Sequence, residues 1–318
     1  MQFWQTDLEP QLTLFLTMPP CLGSKSENDC SMKDLLYLWA PGSEDFILPP
    51  EAGIPVGKNG YKSFVLNVHY DNPRGIPNKF DSSGIQIYYT DKLREHDAAV
   101  LSLGDPDIIL LDKRKSATLG RHKDKIAQWD FTCPESCMNE FLQDQTITVF
   151  SEYLHMHFAG ARMVNEHMRD GSVLREQHVD YYDFDIAGSF SAVQAPFEVK
   201  AGDSFRTTCY FDSNEDVKFG GASSEEMCVT WYMYYPAIPD FDGYCSLPEE
   251  PKYGGKCEAD YTSKLIKESH MGRTFGKPCS YDESSSNQRF KLNPLSMLQV
   301  KISGLIFSCF AMVTNLDN

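Results

Sequence analysis

The feature that most constrains the fold is a succession of short apolar runs rich in β-branched and aromatic residues. These runs are Ser63–Tyr70, Gly84–Thr90, Thr146–His157, Phe197–Lys200, Ser204–Phe211 and Met227–Tyr235. Short polar segments with glycine separate several of them, such as Arg169-Asp170-Gly171 and Ala201-Gly202-Asp203, and such segments suit antiparallel connections. The spacing predicts an all-β chain built from antiparallel sandwiches, with a helical turn near Ser31–Leu38.

The chain is long enough for two domains, each with its own core. Strand-like composition gives way after Thr90 to the charged stretch DKLREHD, and residues 246–292 are rich in Pro, Gly, Ser, Lys and Glu. We therefore expect a partial first β-sandwich over residues 1–92 and a second, jelly-roll-like sandwich over residues 93–245. A loop-rich, cysteine-containing extension is expected over residues 246–318.

The net charge of −16 argues against partners that need a basic face. Nucleic acids and anionic membrane surfaces both bind through such faces. The longest apolar run, Gly304–Val313, has about half of the ~20 residues that a membrane-spanning helix needs. The sequence therefore predicts no nucleic-acid partner and no membrane span.

Ten cysteines are scattered through turn-rich sequence without a CxxC pair. This pattern is typical of disulfides formed in an oxidising compartment, and a reduced cytosolic protein is the alternative. The first residues, MQFWQTDLEPQLTLFLTMPP, lack the basic start of a signal peptide. We expect a secreted or secretory-vesicle location, with a signal peptide not present in this sequence.

Three segments of the sequence carry candidate metal ligands. His155 and His157 flank Met156 at the end of a strand-like run, so both imidazoles point to one face, roughly 6–7 Å apart. Met227 lies in the segment EEMCVTWYMYYP, and His69 lies in a strand-like VHY segment. Each feature alone is more often structural than functional. Their order along the chain makes them informative together.

These segments resemble the copper type II, ascorbate-dependent monooxygenase family. An HxH pair followed by EEMC and YMYYP is similar to the family's second copper domain. Further similar segments are Pro50–Gly57 (PEAGIPVG), Asn67–Pro73 (NVHYDNP), Asp81–Thr90 (DSSGIQIYYT) and Ala201–Tyr210 (AGDSFRTTCY). The resemblance runs from about residue 30 to residue 245, and it favours the amine-hydroxylating branch.

The resemblance implies that His155, His157 and Met227 hold the copper that binds O₂ and faces the substrate. Imidazole suits both copper oxidation states, a thioether favours Cu(I), and three protein ligands leave an open position. Tyr234 is implied as a further catalytic residue. Methionine is a poor zinc ligand and the chain lacks an HExxH motif, which disfavours zinc-dependent hydrolysis. Ascorbate is the implied reductant, acting through a second copper.

That second, electron-transfer copper has three histidines in the family. His69 matches one of them, but the adjacent pair falls on Leu14 and Phe15 if Cys21 marks the motif. We therefore expect a defective second site. Residues 1–20 look atypical, as in a chain truncated at its N-terminus.

The substrate-binding positions also depart from the peptide-amidating branch. An Arg that binds a carboxylate two residues before the HxH pair is replaced by Tyr153, and Val229-Thr230 and Trp231 replace an Asn and a Tyr. A buried carboxylate without a paired cation is unfavourable. We expect hydroxylation of a small, phenylethylamine-like substrate with O₂ and ascorbate. The alternative is a non-catalytic, copper- or ligand-binding secreted module.

Disulfide pairs are implied only by the resemblance. They are Cys209–Cys228 beside Met227, Cys133–Cys245, Cys137 with a C-terminal cysteine, and Cys21–Cys30. The other histidines lie in charged or loop-like sequence and are predicted to be surface residues: His96, His122, His167, His178 and His270.

Overall fold

The computed structural model of the chain describes residues 2–4, 12–18, 34–40, 43, 45–57, 60–61, 65–70, 77–78, 84–104, 126–186, 188–213, 219–220, 225–239, 243–245, 260–267 and 270–272. Met1–Gly272 form one compact unit. Arg273–Asn318 form a second unit, which lies outside the described residues.

The strands, numbered along the chain, are β1 (Gln2–Trp4), β2 (Leu12–Met18), β3 (Asp34–Trp39), β4 (Ala52–Gly53), β5 (Val65–Tyr70), β6 (Gly84–Gln86), β7 (His96–Asp97), β8 (Ala99–Gly104), β9 (Ile126–Cys133), β10 (Ile147–Met156), β11 (Gly160–Arg169), β12 (Ser172–Val179), β13 (Ser191–Val199), β14 (Asp203–Phe211), β15 (Cys228–Tyr235), β16 (Tyr244–Cys245) and β17 (Asp260–Ile266). Helix α1 spans Glu135–Leu142, and a 3-10 helix spans Phe184–Ile186.

Within the described part of the chain, strands β8 to β17 form two sheets. The front sheet has the order β13–β10–β15–β8–β16, and the back sheet has the order β12–β11–β14–β9–β17. Neighbouring strands are antiparallel, except that short β16 runs parallel to β8. The chain passes from back to front between β9 and β10, β12 and β13, and β14 and β15, as expected for a sandwich.

The core of the sandwich lies between the two sheets because every second residue of a strand faces inward. In one buried cluster Trp129 and Phe211 of the back sheet pack with Met156 of the front sheet. In another, Phe205 of the back sheet packs with Tyr232 of the front sheet. Burying each such side chain contributes roughly 1.5–3 kcal/mol, so these layers hold the sheets face to face.

In the described part of the chain, two disulfides link the front and back sheets. Cys209 of β14 is bonded to Cys228 of β15, and Cys133 of β9 is bonded to Cys245 of β16. Both pairings were implied by the family resemblance, and both are confirmed. Cys21 and Cys30 lie outside the described residues, as do the C-terminal cysteines with which Cys137 was expected to pair.

The N-terminal part of the unit contributes smaller sheets. Strands β3, β2 and β5 form a sheet in which β2 lies in the middle, β1 pairs with β6, and β4 pairs with β7. The buried side chains of Leu36–Trp39 in β3 join a cluster with Met227 and Trp231. The N-terminal segment therefore covers part of the outer face of the front sheet.

The all-β prediction is confirmed, with antiparallel sheets throughout most of the described residues. The hairpin predicted at Arg169–Gly171 connects β11 to β12, and its Asp170 and Gly171 have φ values of 51° and 72°. Such positive φ values are what an Asp-Gly hairpin turn requires. No helix among the described residues is long and apolar enough to cross a membrane.

Two local predictions were wrong. The helical turn near Ser31–Leu38 is replaced by strand β3, whose residues 36–39 are buried. Only the first three residues of Gly84–Thr90 form a strand. Helix α1 was not predicted: its buried residues Cys137, Met138, Phe141 and Leu142 have helical spacing, but the helix has only eight residues. The segment predicted to be loop-rich includes strand β17, which pairs with β9.

Candidate metal centre

Strands β10 and β15 place the predicted ligands on one surface. Leu154 pairs with Thr230, His155 with Val229 and Met156 with Cys228. One residue beyond this last pair, the same register brings His157 opposite Met227. Residues that face each other across antiparallel strands point to the same side of the sheet. We call this side the ligand face; it consists of Tyr153, His155, His157, Met227, Val229 and Trp231.

The ligand face is the outer face of the front sheet, and it is buried. His155 is 1% exposed, His157 is 5% exposed and Met227 is 2% exposed. Met227 and Trp231 pack in one cluster with β3 and with Phe190. Two imidazoles in such a position need polar partners or a metal, because an unpaired buried nitrogen is costly.

His155 has a partner on only one of its two ring nitrogens. Its Nδ1 lies 2.9 Å from the hydroxyl of Tyr153. Its Nε2 is buried and has no hydrogen-bond partner among the described residues. Burial, and then the neighbouring His157, hold the pKa of His155 well below its ordinary value. The ring is therefore neutral near pH 7 and can offer a lone pair to a metal.

His157 is held by the backbone. Its Nδ1 donates to the carbonyl oxygen of Glu225 at 2.9 Å. A carbonyl can only accept, so Nδ1 carries the proton and Nε2 carries the lone pair. The rings of His155 and His157 are 5.0 Å apart between centroids, at an interplanar angle of 84°.

Glu226 connects the histidine strand to the methionine strand. Its Oε2 accepts from the backbone N–H of His157 at 3.0 Å, and its Oε1 accepts from that of Ala159 at 2.5 Å. Burial raises the pKa of Glu226 to about 7, although these N–H groups and that of Met227 act in the opposite direction. The carboxyl group fixes the turn after His157 next to Met227.

Aromatic side chains surround the two histidines. Phe184 lies 5.4 Å from the ring of His157 and 6.3 Å from that of His155, and Trp231 lies 5.4 Å from His155. Phe158 packs on Phe184 with ring centroids 4.5 Å apart and is 52% exposed, so this aromatic wall reaches the surface. Glu226 and Phe184 were not predicted as site residues. Glu226 stands in the EEMC motif, whereas no local pattern marks Phe184.

The donor set fits copper. His155 and His157 can each direct an Nε2 lone pair to a metal, and Met227 can add a thioether sulfur. No group of three His, Cys, Asp or Glu that could hold a metal occurs among the described residues.

Tyr234, a further predicted site residue, is not brought to this face. Tyr234 lies on the opposite side of β15, buried between the sheets, with its ring edge-on to Phe141. His69 lies in β5, where it pairs with Thr13 of β2, and its side chain lies outside the described residues. Among the histidines predicted to lie on the surface, His167 is buried and hydrogen-bonded to Asp203, so that prediction was wrong.

Two family models match the chain, and together they decide the family. The N-terminal domain of copper type II ascorbate-dependent monooxygenases matches residues 11–77. The C-terminal domain of the same enzymes matches residues 105–257, which include His155, His157 and Met227. The chain belongs to the copper type II ascorbate-dependent monooxygenase family. The N-terminal match begins inside the segment predicted to be atypical, where β2 pairs with β3 and β5.

Curated relatives of this monooxygenase family agree with the match. Tyramine beta-hydroxylase of Caenorhabditis briggsae is 30% identical over 217 residues, which cover 67% of this chain and 35% of that protein. Dopamine beta-hydroxylase of Rattus norvegicus is 31% identical over 215 residues, 64% of this chain and 32% of that protein. DBH-like monooxygenase protein 1 of Gallus gallus is 31% identical over 214 residues, which cover 64% of this chain and 33% of that protein. The chain spans about a third of the length of these relatives.

Proposed function

We propose that the chain binds a catalytic copper through His155, His157 and Met227 and hydroxylates a C–H bond of a small substrate, with O₂ as oxidant and ascorbate as reductant. The observation that carries this proposal is the state of the two imidazoles. On each ring Nδ1 contacts a protein oxygen, which makes Nε2 the nitrogen that can carry the lone pair for a metal, on the same buried face as the Met227 thioether.

Copper bound there would supply one-electron redox chemistry and a coordination position for O₂. The chain's own residues set the conditions for this chemistry. Burial keeps His155 neutral, and the soft sulfur of Met227 favours Cu(I), the oxidation state that reacts with O₂. Phe184 and Trp231 exclude water from the histidine rings. The substrate gains one oxygen atom and the other leaves as water, so ascorbate must supply two electrons.

The proposal includes a second copper site that is defective in this chain. In the register of β2 and β5, Thr13 lies opposite His69, and Leu14 and Phe15 follow it along β2. The positions where the family resemblance places a histidine pair are thus close to His69 in the sheet, but they carry hydrocarbon side chains. Turnover that needs an electron from that site is expected to be slow.

The proposed substrate is small, aromatic and phenylethylamine-like. Two of the relatives are named for tyramine and dopamine. In this chain the side chains next to the histidines are the aromatic rings of Tyr153, Phe184 and Trp231. An aromatic wall favours an aromatic ring over a peptide carboxylate. The two disulfides support the proposed secreted or secretory-vesicle location.

The test is incubation of the purified, copper-loaded chain with ascorbate, ¹⁸O₂ and either phenylethylamine or tyramine. We expect slow formation of a hydroxylated product that carries ¹⁸O, and none from a His157→Ala variant. Tight copper binding with no labelled product would favour the alternative, a non-catalytic copper-binding module. Product formation that His157→Ala leaves unchanged would overturn the assignment of the site.

A further inference from the structure

Tyr153 lies on the ligand face, two residues before His155 on the same side of β10. It is 3% exposed, and its hydroxyl lies 2.9 Å from Nδ1 of His155. This is the position at which the peptide-amidating branch has a substrate-binding arginine. In this chain the polar atom at that position contacts a ligand histidine instead.

The ring of Tyr153 is held on both sides by other aromatic rings. It stacks on Trp231 with centroids 5.6 Å apart and an interplanar angle of 19°, and it packs against Phe190 at 6.0 Å. Trp231 is the direct cross-strand partner of Tyr153. A ring enclosed in this way keeps its rotamer, so the hydroxyl stays aimed at His155.

The two ligand histidines differ in what holds them. His157 is fixed by a backbone carbonyl, which no side-chain substitution removes. His155 is fixed through the Tyr153 side chain, and its Nε2 has no partner. An outer partner on one ring nitrogen sets the ring's orientation and determines which nitrogen is left for the metal.

We propose that Tyr153 is a positioning residue for copper, which holds the imidazole of His155 so that Nε2 points to the metal. This inference rests on the proposed copper site. It adds that the position before the HxH pair serves the metal in this chain and is not available to bind a substrate carboxylate. When Nε2 binds copper, Nδ1 carries the proton and donates a hydrogen bond to the hydroxyl oxygen of Tyr153.

The test is the Tyr153→Phe variant of the full chain, which keeps the stacked ring and removes only the hydroxyl. Tyr232→Phe is the matched control. Tyr232 is fully buried on the inner face of the front sheet, and its hydroxyl donates to Asn165 of the back sheet. Cu(I) affinity is measured by competition with a chromogenic chelator, and the Cu(II) geometry by electron paramagnetic resonance. Thermal unfolding of the metal-free proteins is measured in parallel.

We expect Tyr153→Phe to weaken Cu(I) binding about 10-fold and to change the copper and nitrogen hyperfine splittings, since outer partners of metal-bound histidines contribute roughly 10- to 100-fold to affinity. Tyr232→Phe should lower thermal stability and leave both copper readouts unchanged. If Tyr153→Phe matches the unsubstituted chain in affinity and spectrum, Tyr153 is a packing residue. The inference about Tyr153 then fails, while the proposed copper site stands. If the unsubstituted chain binds no copper, the proposed function fails with it.

Discussion

The β10–β15 strand pair has two buried faces with different polar groups. On the inner face, Tyr232 donates to Asn165, whose amide donates to Thr207, and Cys228 is bonded to Cys209. Those groups bind the two sheets to each other. On the ligand face, the Nε2 of His155 is buried and contacts no hydrogen-bond partner in the described part of the chain. Because neighbouring residues alternate between the faces, substitutions one residue apart should separate copper binding from stability.

The largest expected effect on copper is that of His155→Ala. Loss of a ligand should lower copper affinity by more than the roughly 10- to 100-fold that loss of an outer partner causes. Calorimetric titration of Cu(II) against a competing chelator measures the change. His178→Ala is the control, because His178 is partly exposed and pairs with Glu176. Equal affinities in the two variants would mean that His155 is not a ligand.

Met227→Ile tests the sulfur on the same face. We expect Cu(I) affinity to fall by about 10- to 100-fold and Cu(II) affinity to fall much less, because the lost thioether is the soft ligand. Isoleucine keeps much of the buried volume, so the fold should persist. Both affinities are measured with oxidation-state-specific chelators. Parallel losses for Cu(I) and Cu(II) would identify Met227 as a core residue.

Glu226→Gln tests the connection between the two strands. The amide has one acceptor oxygen, so the N–H of His157 or that of Ala159 loses its partner. We expect copper affinity to fall about 10-fold and the free energy of unfolding to fall by about 1–3 kcal/mol. Glu225→Gln is the control, since His157 uses the backbone carbonyl of Glu225. An unchanged affinity in Glu226→Gln would remove Glu226 from the site.

Asp203→Asn should change stability without changing copper affinity. Asp203 lies in the back sheet, where it binds His167 at 2.8 Å and Arg169 at 2.5 Å. Burial would raise the pKa of Asp203, but hydrogen bonds from Arg169, the Lys200 N–H and His167 lower it below its ordinary value. Burial also lowers the pKa of His167.

Both groups bind protons more readily in the unfolded chain, so stability present at neutral pH is lost as the pH falls. The loss should begin below about pH 6.5 through His167 and continue below about pH 4 through Asp203. We expect Asp203→Asn to lose about 2 kcal/mol at pH 7 and to show a flatter decline below about pH 4. Urea unfolding across this pH range measures both. A parallel pH profile in the variant would contradict the role of Asp203.

The sequence was most informative where a motif lies on a strand, because the two-residue alternation of side chains then predicts which motif residues share a face. The HxH spacing predicted one face for His155 and His157, and the same alternation separates Met227 from Tyr234, which the structure places on opposite faces. Contacts that depend on register between distant segments could not be predicted. Phe184 approaches the histidines from a 3-10 helix, and β3 covers the ligand face from the other end of the chain. No local pattern encodes such contacts.

The central claim is that copper occupies the ligand face alone. Its most direct test is metal analysis of the purified chain after loading with excess copper and dialysis, alongside the His155→Ala variant. We predict about one tightly held copper per chain and close to none in the variant, because His155, His157 and Met227 supply two nitrogen donors and a soft sulfur on one face, whereas the second site is expected to keep only His69. Two tightly held coppers, or one that survives His155→Ala, would contradict this account.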